Sequence, residues 1–109
     1  MKKIIILLLA IIPFLFACGQ ANVLVDYQTD EALETDLNRG IDCTGKVVTL
    51  SVDKIVPDSA FGYNIQSGEH LNFCSSKKVK AKVGGYLTVK ITKVRRVLGS
   101  YIIYYEKIK

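Results

Sequence analysis

The stretch Lys46-Val47-Val48-Thr49-Leu50-Ser51-Val52-Asp53 alternates strictly from Val48 onward. Val48, Leu50 and Val52 fall on one side of an extended chain, and Thr49, Ser51 and Asp53 fall on the other. That period of two predicts a β-strand with one buried face. The same reading extends downstream. Pro57-Asp58-Ser59 is expected to break the first strand. Residues 61–65 read as a second strand, ended by Gln66-Ser67-Gly68. Residues 70–74 read as a third, with Leu71 and Phe73 on the core face. Residues 75–85 form a Lys-rich connector closed by Gly84-Gly85. Residues 86–94 read as a fourth strand, with Leu87, Val89 and Ile91 inward. Its alternation fails near Lys93-Val94, which predicts a bulge or a strong bend. Leu98-Gly99-Ser100 turns the chain into a fifth strand over 101–107.

Upstream of the strands the period changes. Residues 29–40 read as a short acidic helix. Thr29 is placed as N-cap, and Asp30 and Glu31 stand in the first turn, where the helix dipole favours negative charge. Ala32, Leu33 and Leu37 lie on one face, and Arg39-Gly40 supplies a stop. Residues 18–28 show no sustained period and read as a tether. A long first strand, a connector between strands three and four, and a closing hairpin give an all-β expectation. It is a five-stranded, OB-fold-like Greek-key barrel over 41–109, preceded by the short N-terminal helix. The connector is too short for much of a helix and is expected to be a turn.

The chain has 109 residues, room for one domain. Its first 17 residues have the three-part pattern of a secretory leader: Lys2 and Lys3, then an apolar stretch over 4–16 interrupted only by Pro13. That stretch falls short of the ~20 residues of a membrane span. Leu15-Phe16-Ala17-Cys18 resembles the lipobox of bacterial lipoproteins. There the Cys thiol takes a diacylglyceryl group, and a small residue before it admits the peptidase. The resemblance implies cleavage before Cys18 and anchoring to membrane lipid through diacylglyceryl Cys18, on the extracytoplasmic face of the cell membrane. Two acyl chains hold firmly, since each buried methylene contributes ~0.8 kcal/mol.

From residue 40 to residue 107 the chain resembles the small OB-fold lipoproteins of Gram-positive bacteria, which are similar to domains described as tRNA-anticodon-binding-like. The resemblance rests on Gly45-Lys46-Val47-Val48, Pro57-Asp58-Ser59-Ala60-Phe61-Gly62-Tyr63-Asn64, Gly68-Glu69-His70-Leu71-Asn72-Phe73 and Leu98-Gly99-Ser100-Tyr101-Ile102-Ile103. It implies the barrel and little about activity. A domain outside the membrane does not meet tRNA. The sequence departs from that group at Cys43 and Cys74.

Charge is uneven along the chain. Residues 18–69 hold three Lys or Arg against nine Asp or Glu, and residues 70–109 hold ten against one. Lys77, Lys78 and Lys80 lie in the connector, and Lys90, Lys93, Arg95 and Arg96 lie on and after strand four. Such a field draws polyanions with salt-sensitive affinity. A solvated basic face without a specific partner is the plainer alternative. Tyr63, Tyr86, Tyr101, Tyr104 and Tyr105 are candidate stacking platforms on the sheet, and core packing is the alternative for each.

Cys43 and Cys74 allow one disulfide in an oxidising compartment, and two buried free thiols are the alternative. Closing that loop would stabilise by roughly 3–4 kcal/mol on the chain-entropy account. Cys43, Glu69, His70 and Cys74 are zinc-type ligands. On a strand, however, His70 and Cys74 stand about 13 Å apart, too far for one ion, so no metal is expected. The chain has a single His, no nucleophile elbow and no phosphate-cradling loop. Glu69 and His70 face opposite sides of a strand, so no catalytic pair and no cofactor are expected. The reading is a non-enzymatic module for an anionic envelope polymer. The rival is an accessory lipoprotein that docks on another envelope protein.

Overall fold

A computed structural model describes residues 24–108. The expected lipobox and leader lie outside the described residues. The elements are α1 (Asp30–Asn38), β1 (Val47–Ser51), β2 (Lys54–Ser59), β3 (Gly62–Ser67), β4 (Leu71–Ser75), β5 (Tyr86–Val97) and β6 (Ser100–Lys107).

All six strands join one sheet in the order β1-β5-β6-β4-β3-β2. Every pairing is antiparallel except that of β4 with β6, which sets Leu71 beside Tyr101 and Cys74 beside Tyr104. Only Val52 and Asp53 separate β1 from β2, yet these two strands form opposite edges of the sheet. The edges must therefore come together at that point. The Val52 N–H bonds the Gly85 carbonyl beside β5, and the Asp53 N–H bonds the Gln66 carbonyl of β3, each at 2.9 Å. The sheet curls into a half-barrel as a result.

The five expected strands are thus six. The first strand divides at Val52-Asp53 because its two halves serve different neighbours. Pro57-Asp58-Ser59 was expected to end a strand, and it lies inside β2 instead. Pro57 is tolerated there because β2 is an edge strand and the register slips between Val56 and Ser59. β2 then turns into β3 through Ala60-Phe61. Gly62 follows the turn with φ +104°, and a Cβ there would stand 2.5 Å from the Ser75 carbonyl oxygen, so glycine is required.

The inward face holds Val48, Leu50, Val52, Ile65, Leu71, Phe73, Leu87, Val89, Ile91, Tyr101 and Ile103. For Val48, Leu50, Val52, Leu71, Phe73, Leu87, Val89 and Ile91 this is the face read from the alternation. Phe73 meets Tyr105 edge-on, with ring centroids 6.1 Å apart. The connector over 76–85 contains no helix, and its Val79 and Ala81 pack against the core.

α1 packs on the barrel through Leu33 and Leu37, one helical turn apart. Thr29 caps it by accepting the Ala32 N–H at 3.1 Å. Polar ties then fix its position. Asp30 turns back to accept from the Ser51 N–H and hydroxyl. The Tyr101 hydroxyl donates to Asn38 at 2.9 Å. The Tyr27 hydroxyl donates to Asp36 at 2.8 Å and sits 3.4 Å from the Cys43 sulfur. Tyr27, in the stretch read as tether, is therefore part of the folded body. It bridges Val48 in parallel, and the neighbouring Asp26 carboxylate accepts the Val47 N–H. Burial, with help from the neighbouring Cys43 and Asp36, holds the Tyr27 phenol protonated well above its ordinary range.

Candidate functional site

Alternation along each strand fixes which side chains turn away from the core, and the cross-strand registers place them side by side. On β5 the outward residue is Lys90, since Val89 and Ile91 point inward. The register between β5 and β6 then shifts between Ile91 and Lys93. That bulge, slightly earlier than the expected position, inserts one residue and resets the alternation. Lys93 and Arg95 consequently join Lys90 on the outward face, while Val94 and Arg96 turn inward. Without the bulge, Thr92 and Val94 would take the outward places.

Lys93 stands opposite Tyr104, and Arg95 stands opposite Ile102. Through the parallel pairing, Tyr104 adjoins Cys74 and Ile102 adjoins Asn72. Cys74 in turn faces Asn64, and Asn72 faces Gln66. Gln66 faces Lys54 at the far edge. The outward surface therefore runs from cations through an aromatic and amide strip to another cation. Its floor is tightly covered: Cys74 is 1% exposed, Ile102 4% and Asn64 7%.

The amides are linked. The side-chain oxygen of Asn72 accepts from Asn64 at 3.2 Å and from Gln66 at 3.3 Å, and its nitrogen donates to the Tyr101 carbonyl. The Asn64 side-chain oxygen is buried with no partner. This ladder was not read from the sequence. Its signal was the polar spacing Asn64, Gln66 and Asn72, Cys74 on strands whose other residues are core.

The seven cations do not gather at one place. Lys90, Lys93 and Arg95 form the stripe just described. Arg96 points to the other side and lies 5.4 Å from the centroid of the Tyr101 ring. Lys77, Lys78 and Lys80 are carried on the connector after Ser75, beyond the end of β4 that adjoins Tyr104, whereas Arg95 and Arg96 sit by its other end. Lys78 lines a cleft of about 470 Å³ together with Pro57, Asp58, Gly62, Tyr63 and Ser76. None of the seven forms an ion pair with a described residue. Two of the helix carboxylates are engaged elsewhere, Glu34 with His70 at 2.8 Å and Asp36 with Arg39 and Tyr27.

Of the five candidate stacking tyrosines, Tyr101 is core. Tyr63 and Tyr105 point inward, and burial pushes the Tyr105 phenol up to about 12. Tyr104 remains on the outward face beside Lys93, and Tyr86 is 76% exposed at the start of β5.

The expected Cys43–Cys74 disulfide is absent, and both thiols are free and buried. Cys43 belongs to the inward core against Tyr27, whereas Cys74 alternates with Phe73 and lies on the opposite side of the sheet. Burial raises the Cys74 thiol to about 11. His70 is held by Glu34, and Glu69 plays no part in that contact. Among the described residues, no group of three or more His, Cys, Asp or Glu side chains is placed to hold a metal. None of the described helices is long and apolar enough to cross a membrane. Family models, curated proteins and solved structures contain no match to the chain.

Proposed function

We propose that this protein is a lipid-anchored, extracytoplasmic binding module, not an enzyme, which holds an anionic envelope polymer on the outward face of an OB-type barrel. The barrel assignment is supported by the connectivity. β1 and β2 act as two halves of one bent strand, leaving a five-strand Greek key with one parallel pair. The anchor is supported by Leu15-Phe16-Ala17-Cys18 and the leader before it.

The observation that carries the binding assignment is the β5 bulge, which gathers Lys90, Lys93 and Arg95 on one face. Glu106 stands opposite Lys90 in the register without forming an ion pair, and no carboxylate stands opposite Lys93 or Arg95. Their charge remains available to phosphates, with Tyr104 alongside as an apolar surface. Such binding draws on counterion release, so its affinity falls steeply with salt. The face offers charge and shape more than a fixed set of directional contacts, which suits a repeating polymer.

Retention on immobilised teichoic acid across a salt gradient tests this. The expected result is retention at low salt that is lost steeply as salt rises. No retention at low salt would remove the polymer reading. It would leave a protein partner, whose interface would depend on apolar and aromatic anchors and less on salt. The anchor is checked separately with Cys18→Ala: the variant is expected to lose the leader-free, membrane-bound form, and a mature protein that still fractionates with membranes would remove the lipobox reading.

A further inference from the structure

Leu98 sits at the tip of the β5–β6 hairpin, where two residues, Leu98 and Gly99, connect paired Val97 and Ser100. Both have positive φ, +48° and +84°. Glycine adopts that backbone freely and Asn tolerates it, whereas a bulky residue there is strained. Leu98 is the only residue other than glycine with positive φ among those described. It is also 99% exposed. The fold gains no packing from this leucine and bears its strain. Such a combination marks a position shaped by something outside the fold.

The surroundings indicate what that is. Arg95 and Arg96 project on opposite faces of the hairpin just before the tip, both exposed. An apolar tip between two cations is the chemistry of attachment to an anionic lipid surface.

The chain direction agrees. Tyr27 bridges Val48 in parallel, and Val48 pairs with Val89 of antiparallel β5. Walking back from Tyr27 toward Cys18 therefore sets out in the direction β5 takes toward Leu98. Leu98 lies nine residues beyond Val89, and Cys18 lies nine residues before Tyr27.

We propose that the β5–β6 hairpin is a membrane-contact finger. Leu98 enters the boundary between headgroups and acyl chains of an anionic bilayer, and Arg95 and Arg96 pair with lipid phosphates. The orientation rests on reading Cys18 as the anchor. The finger itself is a property of the folded body and can be tested without acyl chains.

The test uses the chain from residue 18 with Cys18→Ser, which contains every described element and the whole core. Sedimentation with vesicles of phosphatidylglycerol and phosphatidylcholine is compared with phosphatidylcholine alone. The parent is expected to bind the anionic vesicles and not the neutral ones. Leu98→Asn, which suits the turn and removes the apolar tip, is expected to weaken vesicle binding about tenfold. Its retention on immobilised polyphosphate should be unchanged. Leu98→Gly should behave the same way, which guards against an effect particular to Asn. Vesicle binding by Leu98→Asn equal to the parent would overturn the finger, as would failure of the parent to bind anionic vesicles at low salt. Vesicle binding that depends on Leu98, without polyphosphate retention, would support the finger while removing the polymer reading.

Discussion

The two faces of the β3-β4-β6 region are buried to a similar degree and built from opposite chemistry. On the inward side, Phe73, Ile65 and Ile103 interdigitate with the rest of the core. One residue away on the same strands, the outward side carries Asn72, Cys74, Asn64 and Ile102. Cys74 and Asn64 are nearly as covered as the core. Burial alone therefore does not mark the core of this protein. Polarity does: the inward face is closed by apolar contact, while the outward face is a hydrogen-bonded amide strip with cations along both margins. Each face retains one unpartnered polar atom, the Tyr105 hydroxyl inside and the Asn64 oxygen outside. The second face leaves open its cations and, in part, Gln66, Asn72 and Tyr104.

The largest effect expected from breaking this contrast is inside. Phe73→Ala should destabilise by about 3–5 kcal/mol, read as a drop in the urea midpoint, because a large ring leaves a cavity in a closed core. Tyr104→Ala, across the sheet, should cost under about 1 kcal/mol. Next is the amide ladder. Asn72→Leu strands the Asn64 and Gln66 donors and the Tyr101 carbonyl, and should cost about 1–3 kcal/mol. Asn64→Leu, which removes an oxygen already unpartnered, should cost clearly less. A larger loss for Asn64→Leu than for Asn72→Leu would contradict the assigned network.

Smaller effects lie at the margins. Leu98→Gly should raise stability by about 1 kcal/mol, since it relieves a left-handed backbone. An unchanged or lower melting temperature would remove the strain. The weakest signal is alkaline. Cys74 is raised to about 11 and Tyr105 to about 12, both mainly by burial. The unfolded chain ionises first, at the ordinary pKa values near 9 and 10. Below pH 9 the two groups contribute no pH dependence. Stability should then decline as pH rises from about 9 toward 12, because the native state holds protons that the unfolded state has released. Cys74→Ala should flatten the lower part of that decline, measured as urea midpoints across the range.

Much of the fold was legible because alternation is a local signal. Leu71 and Phe73, and Leu87, Val89 and Ile91, needed only a period of two to be placed inward. The division of the first strand was not legible. Val48, Leu50 and Val52 keep one period up to the point where the chain leaves the β5 edge, and only the pairing partners reveal the break. Pro57 misled for a related reason, since its effect depends on whether the strand is an edge. The basic residues were legible as a set and not as a surface. A single inserted residue near Thr92 decides which of them share a face, and the same parity separates Cys74 from Cys43. Tyr27 escaped notice because a lone aromatic in an aperiodic stretch leaves no pattern.

The central claim is that the outward stripe on β5 binds the polymer. The direct measurement compares salt elution from teichoic acid for two triple variants of the unacylated chain, Lys90/Lys93/Arg95→Glu and Lys77/Lys78/Lys80→Glu. Both change the net charge equally. The account predicts that the first loses retention and flattens the salt dependence, while the second keeps most of both. Equal losses would show that only overall charge matters, and a larger loss from the connector variant would place the binding face elsewhere.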